Sequence, residues 1–185
     1  GNQVESPVAD WDTKRAWVQY AFEELKSAGY SISSAYTVVK DPNKVNFSYR
    51  DNMWQGADLL ATGIASFGHA NGVHYQNLAA LEQYLGAIES GSLPLGRGFV
   101  PSDHQRLVRE MILLLKRGHL DAGYFREKFG VEILQLFDKQ WQGYVKDGYV
   151  KIDGDQIRLT VDGLLTVDGL LPAFFEPEFQ GVRYT

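Results

Sequence analysis

Tyr149-Val150-Lys151-Ile152-Asp153-Gly154-Asp155-Gln156-Ile157-Arg158-Leu159-Thr160 carries two alternating runs on either side of an Asp-Gly turn. Alternation with period two puts one face of each run on a core, and Asp-Gly supplies the backbone a tight turn needs, so a two-stranded hairpin is expected. Upstream the period becomes helical. Ser102 with Gln105 three residues later makes a capping box, and Leu107, Met111, Leu114 and Leu115 carry that helix to Gly118. Asp121 begins a shorter helix through Tyr124, Phe125 and Phe129, ended by Gly130. Another runs from about Val131 through Leu134, Phe137, Trp141 and Val145 to Gly148. Helices followed by a hairpin spell a winged helix. A last helix through Leu164, Leu165 and Leu170 is expected to pack back on it, ahead of a tail of aromatics and prolines, Pro172 to Thr185, read as packing. The string Val-Asp-Gly-Leu-Leu occurs at Val161 to Leu165 and again at Val167 to Leu171, a period too short for a repeat fold.

Working toward the amino end, Leu93 to Pro101 reads as a connector, and Leu78, Leu81, Leu85 and Ile88 form one helical stripe closed by Gly91. Before Asn77 the character differs. Asp12 is placed as the cap of a helix to about Ala28, with Trp17, Ala21, Leu25 and Ala28 on one face and Gly29 ending it. Tyr30 to Val39 reads as a strand, Asp41-Pro42-Asn43 as a turn, and Val45 to Tyr49 as a second extended piece. A helix followed by a strand is an α/β unit. Asp58 to Phe67 reads as a buried strand through Leu59, Leu60 and Ile64, broken by Gly63 and leading to a strong Asn71-Gly72 turn. The expectation is an α+β chain divided into residues 1–76 and 77–185.

Composition bounds what such a chain can do. Its 185 residues, 44% hydrophobic and 22% charged, fall in the range of ordinary soluble domains. Eighteen Lys and Arg against 23 Asp and Glu leave a net charge of −5, so no overall positive field gathers nucleic acid or anionic lipid. The absence of cysteine removes thiolate nucleophiles, zinc-thiolate sites and any iron-sulfur cluster ligated by these residues. Apolar runs such as Met111 to Leu115 are far shorter than a bilayer span. Gly1 to Pro7 has neither the basic start nor the apolar stretch of a signal peptide, and a leading Gly without Met reads as a cloning scar. A cytoplasmic fragment is expected.

Among chemically able residues, His69 and His74 flank the Asn71-Gly72 turn and make half of a metal site with no third ligand spaced to complete it, which leaves two solvated surface histidines as the expectation. His104 and His119, in the first turn and past the end of one helix, look structural. Thr62 to Gly68 is a small-residue loop after a strand, of the kind that lets a ligand reach the backbone, but no Gly-Lys-Ser/Thr makes it a P-loop. Asp51 and Asp58 flank it with nothing to pair them as acid and base, and no Ser, His and Asp set has a family spacing. From Ser102 to Leu159 ten basic residues meet nine acidic ones, so the third helix carries no phosphate-tracking stripe and the winged fold is expected to serve as a packing or lid module.

The order of these blocks carries a resemblance. Asp58-Leu59-Leu60-Ala61-Thr62-Gly63-Ile64-Ala65-Ser66-Phe67-Gly68, then Tyr75-Gln76-Asn77, a Leu-rich helix with Tyr84-Leu85, Leu93-Pro94-Leu95-Gly96-Arg97-Gly98, and the closing Leu159-Thr160-Val161-Asp162-Gly163-Leu164-Leu165 resemble the oxygen-independent coproporphyrinogen III oxidase family of radical SAM proteins. The similarity spans about Asp12 to Leu171. It implies that residues up to about Asn77 are the terminal α/β elements of a partial radical SAM barrel and the rest the family's C-terminal domain. It implies oxidative decarboxylation of porphyrinogen propionates in a longer parent that holds S-adenosyl-L-methionine and a 4Fe-4S cluster, with the cluster cysteines upstream and none held by this fragment alone. Contacts with S-adenosyl-L-methionine are expected from Asn46, Phe47 and Ser48, which best fit the family's Asn motif, with Trp54-Gln55-Gly56 as a competing match that adds Gln55, and from Ser66 and Phe67; no catalytic or metal-binding residue is assigned. The partner implied is a porphyrinogen or haem-like tetrapyrrole, with no nucleic acid and no membrane, and self-association through an exposed barrel edge is a further expectation. Departures at Val45, Ala61 and Leu164 leave the substrate open, since haem-transfer proteins and haem-degrading methyltransferases share the architecture; a winged-helix binding module without catalysis is the remaining alternative.

Overall fold

The computed structural model describes residues 8–180, mixing helices with small antiparallel sheets. The expectations for Gly1 to Pro7 and for Arg183-Tyr184-Thr185 lie outside the described residues. The chain forms two compact units.

The first unit takes the described residues up to Asn46, Leu115–Arg126, and those from Val131 onward. Helix α1 (Trp11–Ser27) is capped by Asp10, whose carboxylate accepts the Thr13 N–H at 2.7 Å, two residues before the expected Asp12. Its buried residue is Phe22, while Trp17 is 62% exposed, so the apolar stripe expected through Trp17 is not the packed face. The single strand expected over residues 30–39 is instead a hairpin, β1 (Ser31–Ser34) and β2 (Thr37–Val39). Contacts distant in sequence set its turn: Ala35 donates its N–H to the Lys116 carbonyl at 2.9 Å, and the Tyr36 hydroxyl lies 2.7 Å from both oxygens of Asp168. That carboxylate also meets Lys116 at 3.1 Å.

The same unit contains β6 (His119–Asp121), the start of α5 (Ala122–Phe129), α6 (Ile133–Leu136), α7 (Asp138–Lys146) and the hairpin β7 (Val150–Asp153) and β8 (Gln156–Leu159). The hairpin forms as expected, with Gly154 at φ 55 in its turn. β6 adds to it in the order β6-β8-β7, so His119, past the end of the preceding helix as expected, opens a strand. The helix expected from Val131 to Gly148 breaks at Phe137, and the break turns Trp141 inward, where its indole donates to the Ile133 carbonyl at 3.0 Å. Trp141, Phe137, Tyr144 and Phe174 form an aromatic cluster, with the Trp141 and Phe174 rings 4.8 Å apart, so Phe174 packs on α7. The expected last helix is divided into α8 (Val161–Leu165), α9 (Val167–Leu170) and a 3-10 turn at Leu171–Phe174.

The second unit is Phe47–Leu114 with Glu127–Gly130. It opens with α2 (Ser48–Trp54), so the extended piece expected to reach Tyr49 is helical from Ser48. Residues 60–66 are irregular, Leu59 forms one bridge to His69, and Leu60 is 76% exposed; the strand expected over 58–67 begins only at Phe67. β3 (Phe67–Ala70) and β4 (Val73–Asn77) pair across Asn71 and Gly72, whose φ values of 48° and 77° make the type I′ turn that right-twisted strands favour. Helix α3 (Leu81–Glu89) follows, and β5 (Leu95–Phe99) occupies the expected connector and pairs with β4. α4 (Asp103–Leu115) starts at a reciprocal capping box: Gln105 donates its N–H to Ser102 Oγ at 3.1 Å, and Ser102 donates its N–H to Gln105 Oε1 at 2.9 Å. Leu107, Val108, Met111 and Leu114 bury its inner face.

Candidate functional site

The loop at residues 61–66 has backbone that only outside support can hold, with Gly63 at φ 93° and Ala65, a residue with a Cβ, at φ 56°. Three consecutive residues at the end of β4 supply that support. Tyr75 accepts the Ala61 N–H on its hydroxyl at 2.8 Å. Gln76 donates its amide to the Ala65 carbonyl at 3.0 Å. Asn77, 4% exposed, donates its amide to the carbonyls of Gly63 at 2.9 Å and Ala61 at 3.3 Å, while its N–H bonds the Ser66 carbonyl at 2.9 Å. A Cβ on Gly68 would fall among atoms of the Tyr75 ring, at 2.3 Å from the nearest. Glycine there is thus what lets the phenol cross the hairpin and reach the loop.

The loop ends at Phe67, which is 66% exposed, with the Arg97 guanidinium 6.0 Å from its ring centre. Arg97 is held from the other side, since its Nε donates to Gln76 Oε1 at 2.7 Å. Phe67, Gln76, Arg97, His74, Tyr75 and Phe99 line a shallow cavity of about 260 Å³. The arrangement brings together an exposed aromatic face, a cation held by a hydrogen bond and a small-residue backbone fixed by side chains, the features that a ligand-binding surface requires. Among the described residues no group of three His, Cys, Asp or Glu is placed to hold a metal ion.

The expected site residues fall into three places. Ser66 and Phe67 sit at the clamped loop, where Ser66 Oγ donates to the Thr62 carbonyl at 2.7 Å. Exposed Asn46 and Ser48 flank Phe47, the residue before α2, and the Arg50 guanidinium stacks 4.4 Å from the Phe47 ring. Gln55 lies at the opposite end of α2, its carbonyl accepting Lys128 Nζ at 2.7 Å. No hydrogen bond or ring contact among the described residues joins these three places. Asp51 pairs with Arg50 at 2.8 Å, and Asp58 accepts the Asn71 N–H at 2.9 Å, so both serve local structure.

His69 and His74 are directly opposite across the hairpin with ring centres 4.6 Å apart, and they are not the solvated pair expected, since His69 is 7% exposed. Burial, the nearby Arg109 and then His69 push the His74 imidazole down to about 4. Sequence reading passed over Arg97 and Arg109 as site residues. An Arg-Gly step in the Arg97 region was the only signal for the first; the second had none.

Comparison with known proteins adds a resemblance. Residues 102–166 match the HemN C-terminal domain. Over 87% of its length the chain is 23% identical to the oxygen-independent coproporphyrinogen III oxidase of Pseudomonas aeruginosa, and over 62% it is 26% identical to that of Helicobacter pylori strain 26695. It spans 38% and 26% of those two proteins. The coproporphyrinogen III oxidase HemN of Escherichia coli, described as a radical SAM enzyme, shares the fold at a TM-score of 0.71 and 19% identity over 94% of this chain and 43% of that one. The chain thus resembles the C-terminal portion of an oxygen-independent coproporphyrinogen III oxidase-like radical SAM protein.

The stretch that matches the HemN C-terminal domain begins at the Ser102 capping box and ends just past Leu159-Thr160-Val161-Asp162-Gly163-Leu164-Leu165. The geometry shows why that closing block has its form. Thr160 Oγ1 accepts the Gly163 N–H at 3.1 Å and donates to the Gly148 carbonyl at 2.8 Å, capping α8 and tying it to the end of α7. A Cβ on Gly163 would lie 2.1 Å from the Tyr149 carbonyl oxygen, so the first turn of α8 can close on the hairpin only with glycine there.

Proposed function

We propose that this chain is the carboxy-terminal part of an oxygen-independent coproporphyrinogen III oxidase-like enzyme, acting in the parent on the propionate groups of a porphyrinogen. One observation carries the reading. Two of the sequence blocks that hold the resemblance, Asp58 to Gly68 and Tyr75-Gln76-Asn77, are a single device here, in which the second block uses three side chains to fix the backbone of the first.

In such a parent, S-adenosyl-L-methionine and a 4Fe-4S cluster supply the radical chemistry. The chain has no cysteine and does not fit the cluster, whose ligands would come from outside these residues. It does fit an adenosyl ligand, because the rigid loop and the exposed Phe67 offer close backbone approach and an aromatic face. Ser66 and Phe67 present that backbone, and Asn46, Phe47, Ser48 and Gln55 are proposed as the further contacts. The part of these residues is to bind, orient and exclude water.

We further propose that residues 1–76 are the closing elements of the parent barrel and residues 77–185 a winged-helix-like C-terminal domain, the latter reading supported by the hairpin and its third strand. We place the parent in the cytoplasm, apart from nucleic acid; among the described residues no helix is long and apolar enough to cross a membrane. The isolated chain is expected to self-associate at exposed barrel edges, which concentration-dependent light scattering would register.

The test is the preceding coding sequence. It is expected to contain a Cys-x3-Cys-x2-Cys segment, and the extended protein, reconstituted anaerobically with iron and sulfide, is expected to show the visible shoulder of a 4Fe-4S cluster. An upstream sequence without those cysteines would overturn the reading.

A further inference from the structure

A second cavity in the Phe47–Leu114 unit, of about 340 Å³, is lined by Asp103, Arg106, Arg109, Glu110, Lys128 and His69 among others. Its charges do not cancel. Asp103 pairs with Arg106, and Glu110, 5% exposed, receives Lys128 Nζ at 2.9 Å on each carboxylate oxygen. Lys128 also donates to the Gln55 carbonyl. Both carboxylates therefore have a cation of their own, and Arg109 remains. Its guanidinium makes no hydrogen bond and no ion pair among the described residues. Burial pulls it below its ordinary value, opposed by the charge of Glu110, yet a guanidinium stays protonated in proteins.

A permanent cation with unused donors, partly withdrawn from water inside a cavity, is a receptor awaiting an anion. The planar fork of an arginine matches two oxygens of one carboxylate or phosphate. The cavity falls at the small end of the range for organic ligands and exceeds what a bare ion fills, so the anionic group would arrive on a larger body. We propose that this cavity is an oxyanion site, in which Arg109 takes the carboxylate or phosphate group of a small organic acid two-pronged, with Arg106 at the rim. The site is separate from the clamped loop and does not depend on the reading of the parent enzyme.

The test uses the 185-residue chain with two probes, inorganic phosphate and glutarate, titrated by calorimetry while the imidazole signals are followed by NMR. Saturable binding of either probe is expected, and the one that binds names the class. An anion on Arg109 removes one of the two charges acting on His74, the other being His69, so the His74 titration should move upward from about 4 as the probe saturates. That readout needs no variant. Arg109→Gln should weaken binding roughly tenfold or more, the usual loss for a charge-assisted hydrogen bond, with partial recovery in Arg109→Lys. Arg158→Gln, on an exposed position of β8, should bind as the parent sequence does. Failure of both probes to bind saturably, binding that leaves His74 where it was, or unchanged affinity in folded Arg109→Gln would each overturn the proposal.

Discussion

One amide, that of Asn77, holds two carbonyls of a loop that has no sheet to hold it. Asn77→Ala leaves those acceptors without their partner inside the second unit, and the expected loss is about 1–3 kcal/mol in urea unfolding. His74 sets a pH dependence at the same scale. Its folded value near 4 lies below the ordinary 6.5, so between these pH values the unfolded chain binds the extra proton. The stability that a neutral His74 contributes is complete above pH 6.5 and is lost as pH falls toward 4. The urea midpoint should decline on acidification through that window, and His74→Gln should flatten the decline. The small-residue loop that ends at Ser66 and Phe67 was legible because small residues running into an aromatic are a local pattern. Arg109 was not, because its meaning comes from which neighbouring charges are already paired, and helical spacing along α4 does not carry that information.

For single elements, the parts that sequence discloses are those decided by neighbours a few residues away. The Ser102 to Gln105 box and the Asn71-Gly72 turn appear where their residues dictate, and Ser102→Ala should cost about 0.5–2 kcal/mol in thermal unfolding as α4 loses a cap. Elements decided by distant partners were hidden. The β1–β2 turn has no Gly, Pro or Asn at Ala35-Tyr36, and only Lys116 and Asp168 explain why an apparently continuous strand reverses there. β5, with two glycines and all five residues exposed, has no alternating signal and exists through its ladder to β4. Gly163 tests the other extreme, since it looks like an ordinary break in a weak helix yet sits against the Tyr149 carbonyl. A Cβ 2.1 Å from a backbone carbonyl oxygen puts the overpacking cost of Gly163→Ala at the upper end of the usual range, about 3 kcal/mol, against a gain in helix propensity of about 1 kcal/mol. Net destabilisation is therefore expected, and circular dichroism melts would read the sign.

On the scale of the molecule, charge and chain order matter more than any contact. A net charge of −5 gives no reason for duplex DNA to be held, and no retarded band is expected at low salt; a complex that dissolves as salt rises would contradict this. The first compact unit is assembled from three separated stretches, with α1 packed against α8 near the opposite end of the chain. A nascent polypeptide leaving the ribosome must therefore keep α1 waiting, apolar side chains uncovered, until the segment that carries α8 has been made. Trp11, Trp17 and Tyr20 stay largely exposed even in the finished fold, which makes that wait a period when a chaperone has much to shield.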